Sequence, residues 1–527
     1  MRKKQAKWFT AMALAILCSI FLSACSNNNG NGNSSSSSSG SGSASPSVSA
    51  NESEATQEPL EEVTLKMVLL GDKPTDADEV YTELSKMAKK DINANIEVQN
   101  LSWGEWSQKY PLLFSSGEDF DLVYVADWTG YQGYAGKNAF LELTEDLLSK
   151  NAPITWEKTP KDAWEQAKVN GKVYAVPQAV QENASHSFMI RGDLREKHNI
   201  PTIKDMAGLE AYLLAVAQNE KGIIPFGFQL STEMFIQKYF DKNPQAYTNG
   251  SDKSNSALSW NYFTKDGMVA QNLYANDTYK SFASAMSNWQ KAGVLSKNAL
   301  TQKETSAQLF QAGKSAVGAL SLDQASNVVA GIKKTHPEWK PEVFMPNVAI
   351  VPARFTQNGV SINANSKNPE RALMFLDLLK WNKEYFDLTW YGIKGKHWEP
   401  SGDDRFISLA DAANYPPSGN DPWGWRGTFE RWNVEQPDDV VAQLKGYRES
   451  FHEYPYGLSF VYSDANVKNE NAAINNLAQQ YMNPVSVGLA DYDTAYAKFE
   501  KAANKAGLEK VLTDLQMQID TFKKNNP

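Results

Sequence analysis

Cysteine is almost missing from this sequence. The chain of 527 residues has two, Cys18 and Cys25, and both lie within the first 25 positions. The rest of the chain therefore cannot form a disulfide, supply a thiol nucleophile or ligate a metal through sulfur. The five histidines are scattered without an H-E-x-x-H pair, and neither a G-x-S-x-G turn nor the spacing of an EF-hand loop occurs. We therefore predict no catalytic nucleophile of these kinds, no metal site and no cofactor.

Long basic runs are missing as well. The formal net charge is -9, and no dense Lys/Arg run follows residue 10. Because phosphate contacts need a basic surface, this balance disfavours a nucleic-acid partner. The composition, with 42% hydrophobic, 11% aromatic and 21% charged residues, predicts that most of the chain is globular with a large core.

The first 24 residues have the pattern of an export signal. Four basic residues precede an apolar stretch, residues 8–22, which is followed by Ser23 and Ala24. The stretch is shorter than the roughly 20 residues that span a bilayer, so we expect removal of residues 1–24. Leu-Ser-Ala-Cys at 22–25 resembles the lipobox of bacterial lipoproteins, which implies a lipid on the Cys25 thiol. The alternative is a plain signal peptide with a chance cysteine at the cleavage site.

Residues 25–61 have the composition of a flexible tether. They are dominated by Ser, Asn and Gly and then by acidic residues, which cannot bury enough apolar surface to offset chain entropy. Loss of the signal leaves 48 basic against 61 acidic side chains, a formal charge of -13. We expect a monomeric soluble body that the lipid holds at the outer face of the bacterial cytoplasmic membrane.

Alternating strands and helices are predicted for the body. Three apolar runs predict strands, at residues 63–70, 96–99 and 120–125. Helical periodicity separates these runs. The order is typical of a doubly wound parallel α/β sheet, whose ligand sites lie at the carboxyl ends of the strands. The loop of residues 126–134 is therefore a candidate site.

Later segments continue the α/β pattern. Strands are predicted at residues 315–320 and 359–363. A capping box at Thr202 and the pair Asn368-Pro369 predict two helix starts. Past residue 395 the pattern loosens, and helices are predicted again only from about Asn466.

Several stretches resemble, in family order, those of the extracellular solute-binding proteins of carbohydrate ABC importers. They are residues 116–127 (SGEDFDLVYVAD), 171–177 (GKVYAVP), 189–194 (MIRGDL), 310–318 (FQAGKSAVG) and 363–372 (NANSKNPERA). Residues 391–397 (YGIKGKH) further resemble a subgroup of large Gram-positive members with an extended C-terminal region. The resemblance extends across about residues 62–395.

The resemblance implies a two-lobed α/β fold of the periplasmic-binding-protein type II, with hinge crossings and a central ligand cleft. Lobe 1 would comprise residues 62–178 and about 356–395. Lobe 2 would comprise 179–355 and much of 396–527, including a Trp-rich loop at 401–437. The implied function is to capture an oligosaccharide outside the cell and deliver it to ABC permease subunits in the membrane, without chemistry of its own.

Sugar binding needs flat aromatic faces for pyranose C–H groups and polar side chains for hydroxyls. Asp127 and Trp128 offer both at the end of the third strand, and Tyr131 follows them. Trp103 comes just after the second strand, at the same predicted edge. Either tryptophan could instead pack against the end of the sheet.

The resemblance puts the hinge crossings near residues 178–183 and 351–356. Four hydrogen-bonding side chains cluster at the first of them: Gln178, Gln181, Glu182 and Asn183. They suit the floor of a cleft, and a polar hinge that faces solvent explains them equally well.

Asp323 and Gln324 directly follow the predicted strand at 315–320, where some relatives have an aromatic platform. This sequence has no aromatic residue there, so the platform must come from elsewhere. Trp423 and Trp425, in a Pro/Gly-rich loop, are the best candidates, because exposed aromatics mark contact surfaces. A loop folded over a large domain could also hide them. Tyr391 is a further candidate, either for the cleft wall or for bracing the hinge.

A surface glycoside hydrolase or lyase is the rival from another class, because it also combines aromatic and acidic residues. The ordered set of binding-protein stretches weighs against it. A third reading is a binding protein of the same fold for peptides or another solute.

Overall fold

The first strand of the described residues begins at Val63. The computed structural model describes residues 60–182, 186–228, 230, 236–240, 250–252, 255–261, 264–346, 352–417, 422–450 and 455–526. Its strands are, in chain order, β1 (Val63–Leu70), β2 (Ala94–Leu101), β3 (Leu122–Val125), β4 (Lys168–Val169), β5 (Lys172–Val173), β6 (Val176–Pro177), β7 (His186–Arg191), β8 (Ile224–Phe226), β9 (Gly250–Asp252), β10 (Asn255–Trp260), β11 (Gln271–Asn272), β12 (Ser315–Ser321), β13 (Pro341–Phe344), β14 (Gly359–Ile362), β15 (Trp398–Ser401), β16 (Arg405–Ser408) and β17 (Trp432–Asn433).

Helices separate most of these strands. They are α1 (Ala77–Ile92), α2 (Trp106–Ser116), α3 (Tyr131–Ala135), α4 (Glu145–Asn151), α5 (Pro153–Lys158), α6 (Lys161–Gln166), α7 (Gly192–Lys197), α8 (Met206–Asn219), α9 (Asp277–Lys291), α10 (Ser306–Gln311), α11 (Leu322–Thr335), α12 (Pro369–Trp381), α13 (Lys383–Tyr391), α14 (Asp438–Ser450), α15 (Lys468–Tyr481), α16 (Asn483–Ser486), α17 (Tyr492–Ala506) and α18 (Leu508–Asn525). Short 3₁₀ turns at Asp127–Thr129, Phe355–Gln357 and Pro422–Trp425 matter for the site described below.

The first sheet has the strand order β2-β1-β3-β14-β6. β1 pairs in parallel with β2 and β3, whereas β14 runs antiparallel to both β3 and β6. The prediction of a purely parallel sheet is therefore wrong for this edge. The chain reaches β14 from a second sheet, so the connection from β3 is not the short helical crossover that enforces parallel pairing.

The second sheet has the order β13-β7-β12-β8. β7 and β12 pair antiparallel from His186↔Ser321 to Ile190↔Val317. The chain enters this sheet at His186, after leaving the first at Pro177, and returns from Phe344 to Gly359. We call the described residues between these strands, 178–182 and 352–358, the first and second crossing segments.

Each sheet has its own hydrophobic core. The first core includes Leu69, Val123, Ile362 and Leu376, and the second includes Phe188, Leu213, Val317 and Phe226. We call each sheet together with its core the first and the second lobe. The C-terminal helices α15, α17 and α18 contribute Ile474, Phe499 and Leu515 to the second core.

The Trp-rich segment does not follow the predicted division of lobes. Phe406, Tyr415 and Trp425 are buried in the first core, so the assignment of residues 401–437 to lobe 2 is wrong for most of the segment. The segment contacts the second lobe near its end, where the Trp432 ring packs with Leu322 of α11. The aromatic residues have no regular spacing, so the sequence carried no signal of which core they join.

Two local predictions also need correction. The helix after Pro201 is capped by Asp205, whose carboxylate accepts from the Gly208 amide at 2.8 Å, and not by a box at Thr202. Helix α14, at Asp438–Ser450, lies in the stretch where no helix was predicted. Its interior Gly446 weakens the helical signal of the sequence.

No helix in the described ranges is both long and apolar enough to cross a bilayer. The predicted signal, Cys25 and nearly all of the tether lie outside the described residues.

Candidate functional site

Three half-buried indole rings form one surface in the first lobe, beside the crossing segments. Trp103 follows β2, Trp128 lies in the turn after β3, and Trp423 lies in the turn at Pro422–Trp425. The Trp103 ring centroid is 6.0 Å from that of Trp128 and 6.0 Å from that of Trp423, with which it stacks at 26°. We call these three residues the aromatic platform. Trp106 of α2 supports the platform edge-on, with 5.4 Å between its ring centroid and that of Trp128.

Trp128 is fixed to the second crossing segment. Its indole Nε1–H donates to the Gln357 carbonyl at 3.1 Å. The neighbouring Asp127 carboxylate accepts from the Thr356 hydroxyl at 2.9 Å and from Gln132 Nε2, and the Arg354 Nε lies 3.4 Å away. The turn after β3 therefore holds Trp128 and Asp127 against the second crossing segment, and the Trp128 ring stays partly exposed.

A polar network joins the two crossing segments. Asn358 Nδ2 donates to Glu182 Oε1 at 2.8 Å and to Gln178 Oε1 at 3.3 Å, and its Oδ1 accepts from the Tyr124 hydroxyl. Gln181 Nε2 donates to the Ala353 carbonyl at 2.9 Å. Two of the amides predicted at the cleft floor, Gln178 and Gln181, therefore hold the first crossing segment to the second.

Gln178 is fully buried, and its Nε2 has no hydrogen-bond partner among the described residues. Buried donors without a partner are rare in proteins, because each costs the free energy of its desolvation. This amide is the kind of group that a bound polar molecule or a water would satisfy.

Arg426, which the sequence reasoning did not select, lies at the centre of the charged groups. Its Nη1 is 2.8 Å from Glu182 Oε1 and 3.7 Å from Asp323 Oδ2, and its Nη2 donates to Glu430 Oε1 at 3.1 Å. Burial alone lowers the pKa of this guanidinium, but the carboxylates of Glu182, Glu430 and Asp323 raise it above the usual value. The arginine therefore stays charged. The signal in the sequence that could have identified Arg426 is its position three residues after Trp423, a predicted site residue.

Three predicted site residues lie in the first core instead. Tyr131 is buried and its hydroxyl donates to the Ala167 carbonyl at 2.5 Å, and burial raises the pKa of that hydroxyl. Tyr391 is buried with its hydroxyl against the Arg431 backbone. Trp425 is buried and donates to Thr389 Oγ1 at 3.0 Å. These predictions are wrong, because the side chains have no face open to a ligand.

The remaining predicted site residues differ in where they lie. Asp323 is buried in the first turn of α11 and faces Arg426, whereas Gln324 is exposed and accepts from the Ser321 hydroxyl at 3.1 Å. Asn183 lies outside the described residues. No group of three potential metal ligands occurs in the part of the chain that the structure describes.

Comparison with known proteins identifies the family of this chain. The sequence model of the bacterial extracellular solute-binding proteins matches residues 74–385, more than half of the chain. The chain belongs to this family. Its members are extracellular binding proteins rather than enzymes. Residues 457–524 of this solute-binding protein also match a domain of unknown function, DUF3502.

Individual relatives cover almost the whole chain. A carbohydrate ABC transporter substrate-binding protein of Streptococcus pneumoniae serotype 4 is 27% identical over 479 residues, which are 88% of this chain and 91% of the relative. The N-glycan transport solute-binding protein NgtS of S. pneumoniae, in complex with Man1GlcNAc, is 24% identical with a TM-score of 0.72, over 88% of this chain and all of that one. An EF-hand mutant of the S. pneumoniae ABC-transporter substrate-binding protein FusA, in complex with fructo-nystose, is 18% identical with a TM-score of 0.59, over 88% of this chain and all of that one. The two-lobed type II fold is thereby confirmed.

Proposed function

We propose that this solute-binding protein captures an oligosaccharide outside the cell and delivers it to the permease of an ABC importer. The observation that carries the proposal is the aromatic platform, three partly exposed indole rings beside the carboxylates and amides of the crossing segments. Apolar C–H faces of pyranose rings pack on such surfaces, and the surrounding polar groups accept and donate to hydroxyls. Trp103, Trp128 and Trp423 would supply the stacking faces, and Asp127, next to Trp128, and Glu182 of the first crossing segment would supply acceptors.

The relatives support a sugar as the ligand. The relative at 27% identity is named as a carbohydrate transporter component, and NgtS has been crystallised with Man1GlcNAc and Man5GlcNAc. FusA has been crystallised with kestose. These ligands belong to those proteins, and they define the first panel to try here.

The N-terminal pattern supports delivery at a membrane surface. A lipid on Cys25 and a tether over residues 25–61 would keep one binding unit near its permease, which raises the effective concentration there. The two lobes would close around the sugar about the crossing segments. We take a single chain to be the functional unit.

A titration calorimeter tests the proposed ligand class. Protein that starts at Ser26 would be titrated with Man1GlcNAc, Man5GlcNAc, kestose and a set of peptides, and each sugar would be recovered and weighed by mass spectrometry. We expect saturable binding of at least one sugar, recovered intact. Binding of peptides alone would overturn the proposal, and shortened sugar would identify a glycoside hydrolase or lyase instead.

A labelling experiment tests the anchor. Cells that express the full chain would be fed an alkyne analogue of palmitate, and incorporation would be compared between the wild type, Cys25→Ser and Cys18→Ser. We expect label in the wild type and in Cys18→Ser and none in Cys25→Ser. Equal label in all three proteins, or none in the wild type, would refute lipidation at Cys25.

A further inference from the structure

The chain passes from the first core to the second lobe within seven residues after Trp425. Trp425 is buried in the first core, and Trp432 packs with Leu322, Val441 and Leu444, of which Leu322 belongs to α11 of the second lobe. Gln436 adds a hydrogen bond from its Nε2 to Ser326 Oγ of α11 at 3.2 Å. Residues 426–432 therefore link the lobes in addition to the two crossing segments. Trp423 of the aromatic platform lies immediately before this link.

Arg426 is the first residue of the link and is only 4% exposed. Its guanidinium contacts a carboxylate from the first crossing segment (Glu182), one from the second lobe (Asp323) and one from its own loop (Glu430). The guanidinium carbon also lies 5.2 Å from the Trp390 ring centroid in the first lobe. A planar, five-donor cation can hold several partners at fixed angles, which a lysine cannot.

Backbone hydrogen bonds of Arg426 connect it to the turn that carries Trp423 and to the first crossing segment. Its amide donates to the Trp423 carbonyl at 3.2 Å and closes the turn that carries the indole. Its carbonyl accepts from the Ala179 amide of the first crossing segment at 3.3 Å. A shift of Arg426 would therefore move the turn of Trp423 relative to Trp103, on which that indole stacks.

We propose that Arg426 is a positioning residue that couples the aromatic platform to the second lobe: its pairing with Asp323 and Glu182 sets the place of Trp423. The proposal rests on the proposed function only in taking Trp423 as a contact for the sugar. It predicts that a substitution at Asp323, in the second lobe, changes the position or environment of the Trp423 ring. A purely structural arginine would show no such effect.

Arg431 provides the matched control. It is also a buried arginine of this segment, but its Nη1 donates to the Asp403 carbonyl at 2.6 Å and its Nη2 lies 3.3 Å from Asp387 Oδ2. Its guanidinium carbon is 5.5 Å from the Trp398 ring centroid. These partners belong to α13 and to the β15–β16 hairpin, and none lies in the second lobe. Arg431→Lys should disturb packing without changing the link to α11.

The test is ¹⁹F NMR of the ligand-free protein labelled with 5-fluorotryptophan, with the Trp423 signal assigned by its loss in Trp423→Phe. In Asp323→Asn and in Arg426→Lys we expect the Trp423 signal to shift or broaden while that of Trp156, packed on Trp164 elsewhere in the first lobe, stays in place. In Arg431→Lys the Trp423 signal should not move. An unchanged Trp423 signal in folded Asp323→Asn would overturn the proposal, even if Arg426→Lys fails to fold.

Affinity for the tightest sugar of the panel gives the second readout. We expect Asp323→Asn to weaken binding about tenfold, within the usual range of coupling between sites. Its effect should largely vanish when Trp423 is already Ala, because coupled residues are non-additive. Additive effects would contradict positioning. If no sugar binds at all, the proposed function fails, while the ligand-free NMR result still decides the role of Arg426.

Discussion

Trp103 lies between the other two rings of the aromatic platform, so it is the residue whose loss should matter most. Removing its indole leaves Trp128 and Trp423 without their shared neighbour. We expect Trp103→Ala to weaken binding of the tightest sugar at least about tenfold, which corresponds to roughly 1.4 kcal/mol. Trp339→Ala is the control, because that half-buried ring stacks on His336 in the second lobe, and calorimetry should show unchanged affinity. An equal loss of affinity in both variants would show that the aromatic platform is not part of the binding site.

Lys380 is a fully buried lysine of α12 that donates to the Pro177 carbonyl, next to the first crossing segment. Burial lowers its pKa from 10.5 to about 7, only partly opposed by Asp377. The unfolded chain therefore binds more protons between these values, so this group makes the free energy of unfolding rise as pH increases from about 7 to about 10.5. The slope approaches about 1.4 kcal/mol per pH unit.

Urea unfolding across this pH range checks the role of Lys380. Lys380→Met keeps the stem and removes the amine, so the variant should lose that part of the slope, whatever its absolute stability. The exposed Lys367→Met should keep the slope of the wild type. A slope that is the same in all three proteins would show that Lys380 is not buried as a titrating amine.

At the scale of elements, the turn at Pro422–Trp425 lies directly on β14. A Cβ added at Gly424 would be 2.9 Å from Val360 Cγ2 and 3.0 Å from the Gly359 carbonyl oxygen. Gly424→Ala should therefore push the turn off the strand, destabilise the fold by about 1–3 kcal/mol and displace Trp423. Gly446→Ala is the control, because nothing lies within 4 Å of its Cβ position and α14 gains helix propensity. Denaturant unfolding that ranks Gly424→Ala as no less stable than Gly446→Ala would contradict this packing.

The sequence was informative for elements whose signal is local. The apolar run of β1 predicted Val63–Leu70 because the strand is buried over most of its length. Trp103 and Trp128 were predicted to lie at one edge of the sheet because they follow strands whose carboxyl ends meet there, and their ring centroids are 6.0 Å apart. Tyr391 and Trp425 were misplaced because their burial depends on α13 and on the Trp-rich segment, which meet only in the folded chain. Arg426 was missed for the same reason. Its carboxylate partners come from distant parts of the sequence, from Glu182 to Glu430, and meet only in the folded chain.

At the scale of the whole molecule, two cores are joined by two crossing segments and by the link after Trp425. Closure about these connections should bring the lobes together when a sugar binds. Residues 60–526 contain no cysteine, so spin labels at Lys150→Cys in the first lobe and Lys498→Cys in the second are unique in protein that starts at Ser26. Pulsed EPR should show a shorter or narrower distance distribution with sugar. An identical distribution at saturating sugar would refute closure.

The crystal structure of the protein with the tightest-binding sugar of the panel is the most direct measurement. Two cavities away from the aromatic platform offer a contrast, one of about 550 Å³ lined by Asn466, Thr513 and Met517, and one of about 480 Å³ lined by Leu112, Phe114 and Tyr134. We predict an intact sugar with at least one ring in van der Waals contact with Trp103, Trp128 or Trp423, between the two lobes. A sugar seated in either of the other cavities, with the three indoles uncovered, would contradict the proposed site.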